Sequence, residues 1–488
     1  MDGGTFDRLT RVLTGGMSRR AGIGIALGAV LGRIVGGAED ASAARGANRR
    51  HEKMPCLGAG TPCTANDTCC SGRCLPKSGG TGYRCARPHS KAKQGNKKKD
   101  GGGGGVPCVS TVCASGCLYT TVEDAYAASA AGSTIYIGTG TYPTQVAITK
   151  DMTFDACPGE EVVLEPSRDS LGPDSYYSVF TEDSVASSTP LAVTIRNLTL
   201  QGTADGATNA DETLVSSHGH GMVSWTIEGC TLRYANIGLY ALTREHTVSD
   251  CVVSDMDSYG LYLEMDYSAP STTVLNVNDT TFEQPDIARA ADWIHVIVSS
   301  APGSGSDRYE LNVTNSSFSG NGDSGSYFEG LQTAGQGTTV ATYTNCTWTT
   351  TLERPTAGVN MYGGTSNIIG CSFTNGNYSR SAVYLYDASC TLKDTLVDNN
   401  DVYYYAAVTL DVEYWTSTLQ VQGSTMITNN SSTGSGPDGG VSISMPASGP
   451  TASVTGTSTS NVTGNTPNNC TKFVNGSGSQ VVSCSTWS

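Results

Sequence analysis

The sequence predicts an all-β fold, a right-handed parallel β-helix occupying residues 108–488. Three observations carry this expectation. Only 15% of the residues are charged, while Gly, Ser, Thr and Asn abound, a usage that favours short strands and tight turns over helices. A short motif of a small residue or Cys, then Ser or Thr, then a large apolar residue recurs imperfectly. It is found at Leu198-Thr199-Leu200, Cys230-Thr231-Leu232, Cys251-Val252-Val253, Thr280-Thr281-Phe282, Ser316-Ser317-Phe318, Cys346-Thr347-Trp348, Cys371-Ser372-Phe373, Asp394-Thr395-Leu396 and Ser424-Thr425-Met426. The last residues of these motifs lie 32, 21, 29, 36, 30, 25, 23 and 30 positions apart, in the range of solenoid coils that bury apolar faces only against their neighbours. After most motifs comes an alternating stretch, as in Gly260-Leu261-Tyr262-Leu263-Glu264 or Ala382-Val383-Tyr384-Leu385-Tyr386, and period two marks a strand with one buried side.

The segments before the solenoid differ from it in charge. Residues 1–105 carry 18 Lys+Arg against 7 Asp+Glu, and the remainder 11 against 37, so +11 is followed by −26. A body that acidic does not suit a nucleic-acid partner, which needs cations to displace condensed counterions. Seventeen cysteines without paired CxxC spacing favour disulfides and therefore export. Ser18-Arg19-Arg20, the mild apolar run Ala21 to Leu31 and the small-residue site Ala41-Ser42-Ala43 read as a signal peptide over residues 1–43, too short for a comfortable membrane span. With its paired arginines it resembles a twin-arginine signal. A secreted or cell-surface location and a mature chain without a transmembrane span follow as expectations.

Next comes a cysteine cluster in residues 55–86, with Cys56, Cys63, Cys69, Cys70, Cys74 and Cys85. So short a segment buries too little apolar surface to fold unaided, and each bridge adds about 2–4 kcal/mol. The adjacent Cys69-Cys70 pair and short loops resemble the knottin pattern. That resemblance implies bridges Cys56–Cys70, Cys63–Cys74 and Cys69–Cys85, and either a small binding module or a stapled spacer. Residues 87–107, with five lysines between Lys91 and Lys99 and the run Gly101 to Gly105, have no means of forming a core and read as a flexible tether.

The solenoid opens with Cys108, Cys113 and Cys117, one of which is a candidate partner for Cys157. A helical stretch follows from Thr121, which caps it with Asp124 at the third helical position, to Ala131. Then come Gly132-Ser133, the strand Thr134-Ile135-Tyr136-Ile137 and Gly140-Thr141-Tyr142. Cap helix, small-residue turn, first strand and G-T-Y turn resemble the entry of pectin-lyase-like β-helix proteins. The helix covers the open end of the stack against edge pairing. The motif cysteines 230, 251, 346 and 371 share one phase and read as stacked interior residues, while Cys470 and Cys484 are placed to close a terminal loop.

Chemistry is sought on the outward phase. With Leu261 and Leu263 inward, Tyr262 and Glu264 point out, and the same phase exposes Tyr240, Asn360, Tyr362, Tyr384, Tyr386, Thr409, Asp411 and Glu413. His295 is expected beside Glu264, and Glu329 joins through Ser326-Tyr327-Phe328-Glu329. Tyrosine rings offer apolar faces and hydroxyls to sugars. Carboxylates act as acid and base or hold a divalent cation. Glu264, Asp266, His295 and Glu329 are therefore the catalytic candidates, and Tyr240, Tyr262, Asn360, Tyr362, Tyr384, Tyr386 and Asp411 the substrate-binding ones. Packing and solubility alone also favour Tyr, Thr and acids on exposed strands.

No cofactor is required by this pattern. Asp255, Asp257 and Asp266 offer turn carboxylates to Ca²⁺, although turns collect Asp for their own hydrogen bonds. Ser217-His218-Gly219-His220-Gly221 contains the G-H-G string of the polygalacturonase branch, but that branch's N-T-D, Asp-Asp and R-I-K segments are missing. The resulting expectation is a monomeric, exported polysaccharide lyase or hydrolase, with a non-catalytic polysaccharide-binding or adhesin protein as the alternative.

Overall fold

The computed structural model describes residues 110–481 apart from 168–176, 183–188, 203–211, 218–221, 243, 265–271, 285–291, 298–307, 321–323, 330–337, 351–354, 435–438, 447, 457–460 and 475–477, together with three short strands between 62 and 85. Those strands, Pro62–Cys63, Tyr83–Cys85 and Cys74–Pro76, form an antiparallel sheet in that order and belong to a unit separate from the solenoid. Residues 1–43 and 87–107, Cys56, Cys69, Cys70, Cys108 and Cys484 lie outside the described residues.

The solenoid is a right-handed parallel β-helix. Among the described residues each coil visits three main sheets in turn, of 12, 12 and 13 strands, and three coils add a short strand between the second and third, at Asn377–Tyr378, Asp401–Val402 and Ser431–Ser432. The first runs from Thr134–Ile137 to Ala452–Thr455, the second from Gly140–Thr144 to Val462–Thr463 and the third from Val146–Ile148 to Cys470–Val474. Its last strand, Gly478–Val481, turns back antiparallel on Cys470–Val474 and covers that sheet's end. Right-handed crossovers are the general rule for parallel strands.

The short repeated motif builds the second sheet and the alternating stretches build the third. Leu200, Leu232, Val253, Phe282, Phe318, Trp348 and Phe373 stand in register across neighbouring coils. Within that row Phe282, Phe318, Trp348 and Phe373 stack face to face at 4.8, 4.9 and 4.3 Å. In the last two motifs the register slips by one residue. Val397 and Ile427 continue the buried row, and Leu396 and Met426 are exposed, because Thr395 and Thr425 take the small interior position that Cys371 holds one coil earlier. Cys230, Cys251, Cys346 and Cys371 are buried free thiols at that position, and Cys390 is a fifth.

Two polar devices hold the corners. The turn from first to second sheet repeatedly needs a left-handed residue, met by Asn197 (φ 56°), Asp250 (φ 53°), Asp279 (φ 49°), Asn315 (φ 52°) and Asn345 (φ 55°), residue types that tolerate it. The turn from second to third sheet buries Asn400, Asn430 and Asn465, one per coil. Asn430 Nδ2 donates to Val397 O (3.0 Å) and to Asn465 Oδ1 (2.9 Å), while its Oδ1 accepts from Asn400 Nδ2 (2.8 Å).

The cap helix spans Val122–Ala128 and buries Val122, Ala125 and Tyr126 on the first coil. Thr121 accepts from the Asp124 amide at 3.2 Å, and Lys150 Nζ satisfies the Tyr126 and Ser129 carbonyls at the other end at 2.7 and 2.6 Å. Gly140-Thr141-Tyr142 is not a turn: it begins the strand Gly140–Thr144, since Tyr142 is buried and its alternation continues. Cys113 pairs with Cys117, so neither is the partner of Cys157, which is disulfide-bonded outside the described residues, as is Cys470.

Candidate functional site

The third sheet carries the expected tyrosines and carboxylates in two outward rows, set by strand period and parallel register. Tyr240, Tyr262, His295, Asn360, Tyr384 and Thr409 occupy one row, with position 327 falling between His295 and Asn360 in the backbone register. Two residues on, Glu264, Ile297, Tyr362, Tyr386 and Asp411 occupy the other, with position 329 falling between Ile297 and Tyr362 in the backbone register. The row depends on glycines such as Gly260, where a Cβ would meet the Trp293 carbonyl at 2.5 Å.

At the N-terminal end the rings stack at coil spacing. Tyr240 lies on Tyr262 at 5.3 Å and 8°, and Tyr262 on His295 at 5.2 Å and 13°. Tyr259 packs its ring 4.7 Å from His295 at 61°. The Tyr240 hydroxyl donates to Glu264 Oε2 at 2.9 Å, and His295 Nδ1 lies 2.8 Å from Asp292 Oδ2. This places His295 differently from the sequence expectation. It pairs with Tyr262, and Ile297 is the residue opposite Glu264. Ile297 also intervenes between Glu264 and Glu329, so these carboxylate positions are two coils apart, roughly 9.6 Å along the stack. Asp266, His218 and His220 lie outside the described residues. Asp255 and Asp257 occupy the turn before Tyr259, and among the described residues no three His, Cys, Asp or Glu side chains gather as a metal site.

The C-terminal end departs further from an open surface. Asn360 and Tyr384 are each 3% exposed and Thr409 is 0% exposed. Tyr384 is covered by Arg380, whose guanidinium lies 5.2 Å from its ring centre and donates to the Tyr362 hydroxyl at 2.9 Å, and by Tyr405, 5.5 Å away. Ser381 Oγ reaches Thr409 Oγ1 at 2.9 Å. Tyr362 and Tyr386 remain half-buried, their rings 5.2 Å apart.

Three acids meet here. The Tyr384 hydroxyl donates to Asp411 Oδ2 at 2.9 Å, and the Tyr386 hydroxyl to Glu413 Oε2. Asp387, 5% exposed, accepts the backbone N–H groups of Glu413, Tyr414 and Trp415 at 2.8, 3.0 and 3.1 Å and pins their turn. Burial, helped by the charges of Asp387 and Glu413, holds the Asp411 carboxyl above its ordinary range against hydrogen bonds from Tyr384 and Ser444. Glu413 is shifted the other way, first by the Tyr386 hydrogen bond and then by that of Tyr414. Sequence alternation missed Asp387 and Arg380, and also Tyr403, Tyr404, Tyr414 and Trp415, which are exposed. The available signal was the runs Tyr403-Tyr404-Tyr405 and Tyr414-Trp415, since consecutive aromatics in a turn have no common buried side.

No helix among the described residues is long and apolar enough to cross a membrane. No family model and no curated protein matches the chain. Among solved structures, the catalytic unit of a thermostable GH87 α-1,3-glucanase from Streptomyces thermodiastaticus strain HF3-3 is similar at 15% identity and a TM-score of 0.37. The likeness covers 75% of this chain and 66% of that one.

Proposed function

We propose that this is an exported carbohydrate-active protein that binds a polysaccharide along the outer face of the third sheet and cleaves it there by hydrolysis or elimination. The observation that carries the reading is the row of stacked rings, Tyr240, Tyr262 and His295, edged by Glu264 and Asp292. Ring faces suit pyranose C–H surfaces, and the flanking carboxylates accept from sugar hydroxyls. Asp292 fixes the orientation of the His295 imidazole at Nδ1. An imidazole held this way suits proton transfer, with Glu264 or Glu329 as the carboxyl partner. Ca²⁺ would serve only to bridge these acids to an acidic polymer.

A non-catalytic binding protein is the second reading, favoured by the engagement of Glu264 with Tyr240 and by Ile297 between the two glutamate positions. The test is a panel of plant, algal and bacterial polysaccharides incubated with the full chain, following new reducing ends and the ultraviolet absorbance of unsaturated products, with and without Ca²⁺. Absorbance growth means elimination, and reducing ends alone mean hydrolysis. Either signal should be abolished by Glu264→Gln or His295→Ala in protein that still melts cooperatively. Binding without turnover, lost on replacing Tyr362 and Tyr386 but surviving Glu264→Gln, would establish the second reading instead.

A further inference from the structure

Seven large hydrophobic side chains stand exposed among the described residues, and four of them bracket one strand. Tyr403 (36%) and Tyr404 (52%) lie on the turn before Val408–Asp411, and Tyr414 (61%) and Trp415 (40%) on the turn after it. The aliphatic residues of these turns, Ala406, Ala407 and Val412, are buried, so the first turn presents tyrosine rings to solvent and the second presents Glu413, Tyr414, Trp415 and Thr416. A strand of this length spans about 13 Å.

We infer that the two turns wall a second sugar-binding site, separate from the Tyr240–His295 stack, that takes an uncharged stretch of glycan. The inference rests on the carbohydrate reading above and adds a subsite and a substrate class to it. Three features point to a ligand rather than to a chance patch. The wall is preorganised, because Asp387 spends a buried carboxylate on three backbone N–H groups of residues 413–415, and a turn ordered in advance loses less freedom on binding. Along the same row, two coils before Thr409, Asn360 keeps a buried Oδ1 with no hydrogen-bond partner, an acceptor left for a hydroxyl to satisfy. A protein interface is depleted of charged residues at its core, whereas rings beside carboxylates match the alternating C–H and O–H faces of a sugar.

The charge decides the class. Asp411 ends the strand, Glu413 stands in the wall and Asp387 lies beneath that turn, while Arg380 is committed to the Tyr362 hydroxyl and the Tyr384 ring. A polyuronate would meet repulsion here, whereas the hydroxyls of a neutral glycan donate to the same carboxylates.

Affinity electrophoresis of the full chain through gels containing a β-glucan, an α-glucan, a mannan, a xylan or polygalacturonate tests this. The variants are Trp415→Ala, Tyr414→Ala and Tyr404→Ala, with Tyr262→Ala as the change at the other cluster. The expected result is retardation by one or more neutral polymers, weakened at least tenfold by Trp415→Ala combined with Tyr414→Ala, with the melting temperature unchanged. Retardation untouched by the turn variants but lost with Tyr262→Ala would overturn the second site and leave the proposed function standing. Preferential retardation by polygalacturonate would overturn the assignment to neutral glycans. A parent protein retarded by no polymer would overturn both readings.

Discussion

Asp411 illustrates how one side chain links fold and site. It ends a third-sheet strand, accepts from the Tyr384 hydroxyl, and is held above the usual carboxylate range chiefly by burial. A raised carboxyl has a definite consequence for stability. The folded state prefers the protonated form, so ionisation costs stability. The cost is absent below the unfolded-state value of about 3.9 and complete above the folded value. Asp411→Asn keeps an acceptor oxygen for Tyr384 and removes the charge that Asp387 and Glu413 repel. The variant should melt at a higher temperature than the parent at pH 7, with the gap closing as pH falls toward 4. Thermal melts from pH 4 to 8 measure this, and a gap that widened in acid would show that ionised Asp411 stabilises the fold.

At the scale of the element, the third-sheet strands and the buried aromatic row were legible because period two and a coil-length repeat are local signals. Leu396 and Met426 show where legibility ended: each follows a Thr that takes the small interior position, so the next residue, Val397 or Ile427, turns inward. The asparagine ladder was visible only as the doublets Asn399-Asn400 and Asn429-Asn430, whose first member takes the left-handed turn (φ 54° in both) and whose second is buried. Asn430 joins three coils, so Asn430→Ala should orphan the Val397 carbonyl and the Asn400 backbone N–H and take one bond each from Asn400 Nδ2, which keeps Phe373 O, and from Asn465 Oδ1, which keeps the backbone N–H of residue 430. At about 1–3 kcal/mol for each buried group left unmatched, and with some of them finding water, a loss of about 3–5 kcal/mol is expected. Chemical denaturation would measure it, and a loss below about 1 kcal/mol would mean that water replaces the ladder.

Across the whole solenoid, the architecture was legible and the site much less so, for one physical reason. A coil repeats its own pattern and packs only on its neighbours, so the sequence states it many times over. The site depends instead on what arches over the sheet, as when Arg380 and Tyr405 bury Tyr384 and Asp387 orders residues 413–415, and none of these contacts has a period. The same stacking fixes the distance between the two clusters. From Tyr240 to Thr409 the outward row climbs six coils, roughly 29 Å at about 4.8 Å each. If one glycan chain runs along that row, contacts at its two ends act within one ligand, and the second is gained at high effective concentration. Affinity for neutral oligosaccharides should then rise with length until the ligand spans about 29 Å, and level off. Trp415→Ala with Tyr414→Ala should remove the gain of the longest members and leave the short ones bound at Tyr262 and His295. Titration calorimetry over a graded oligosaccharide series reads both effects. A plateau at short length in the parent, unchanged by the turn variant, would mean that the two clusters bind separate chains.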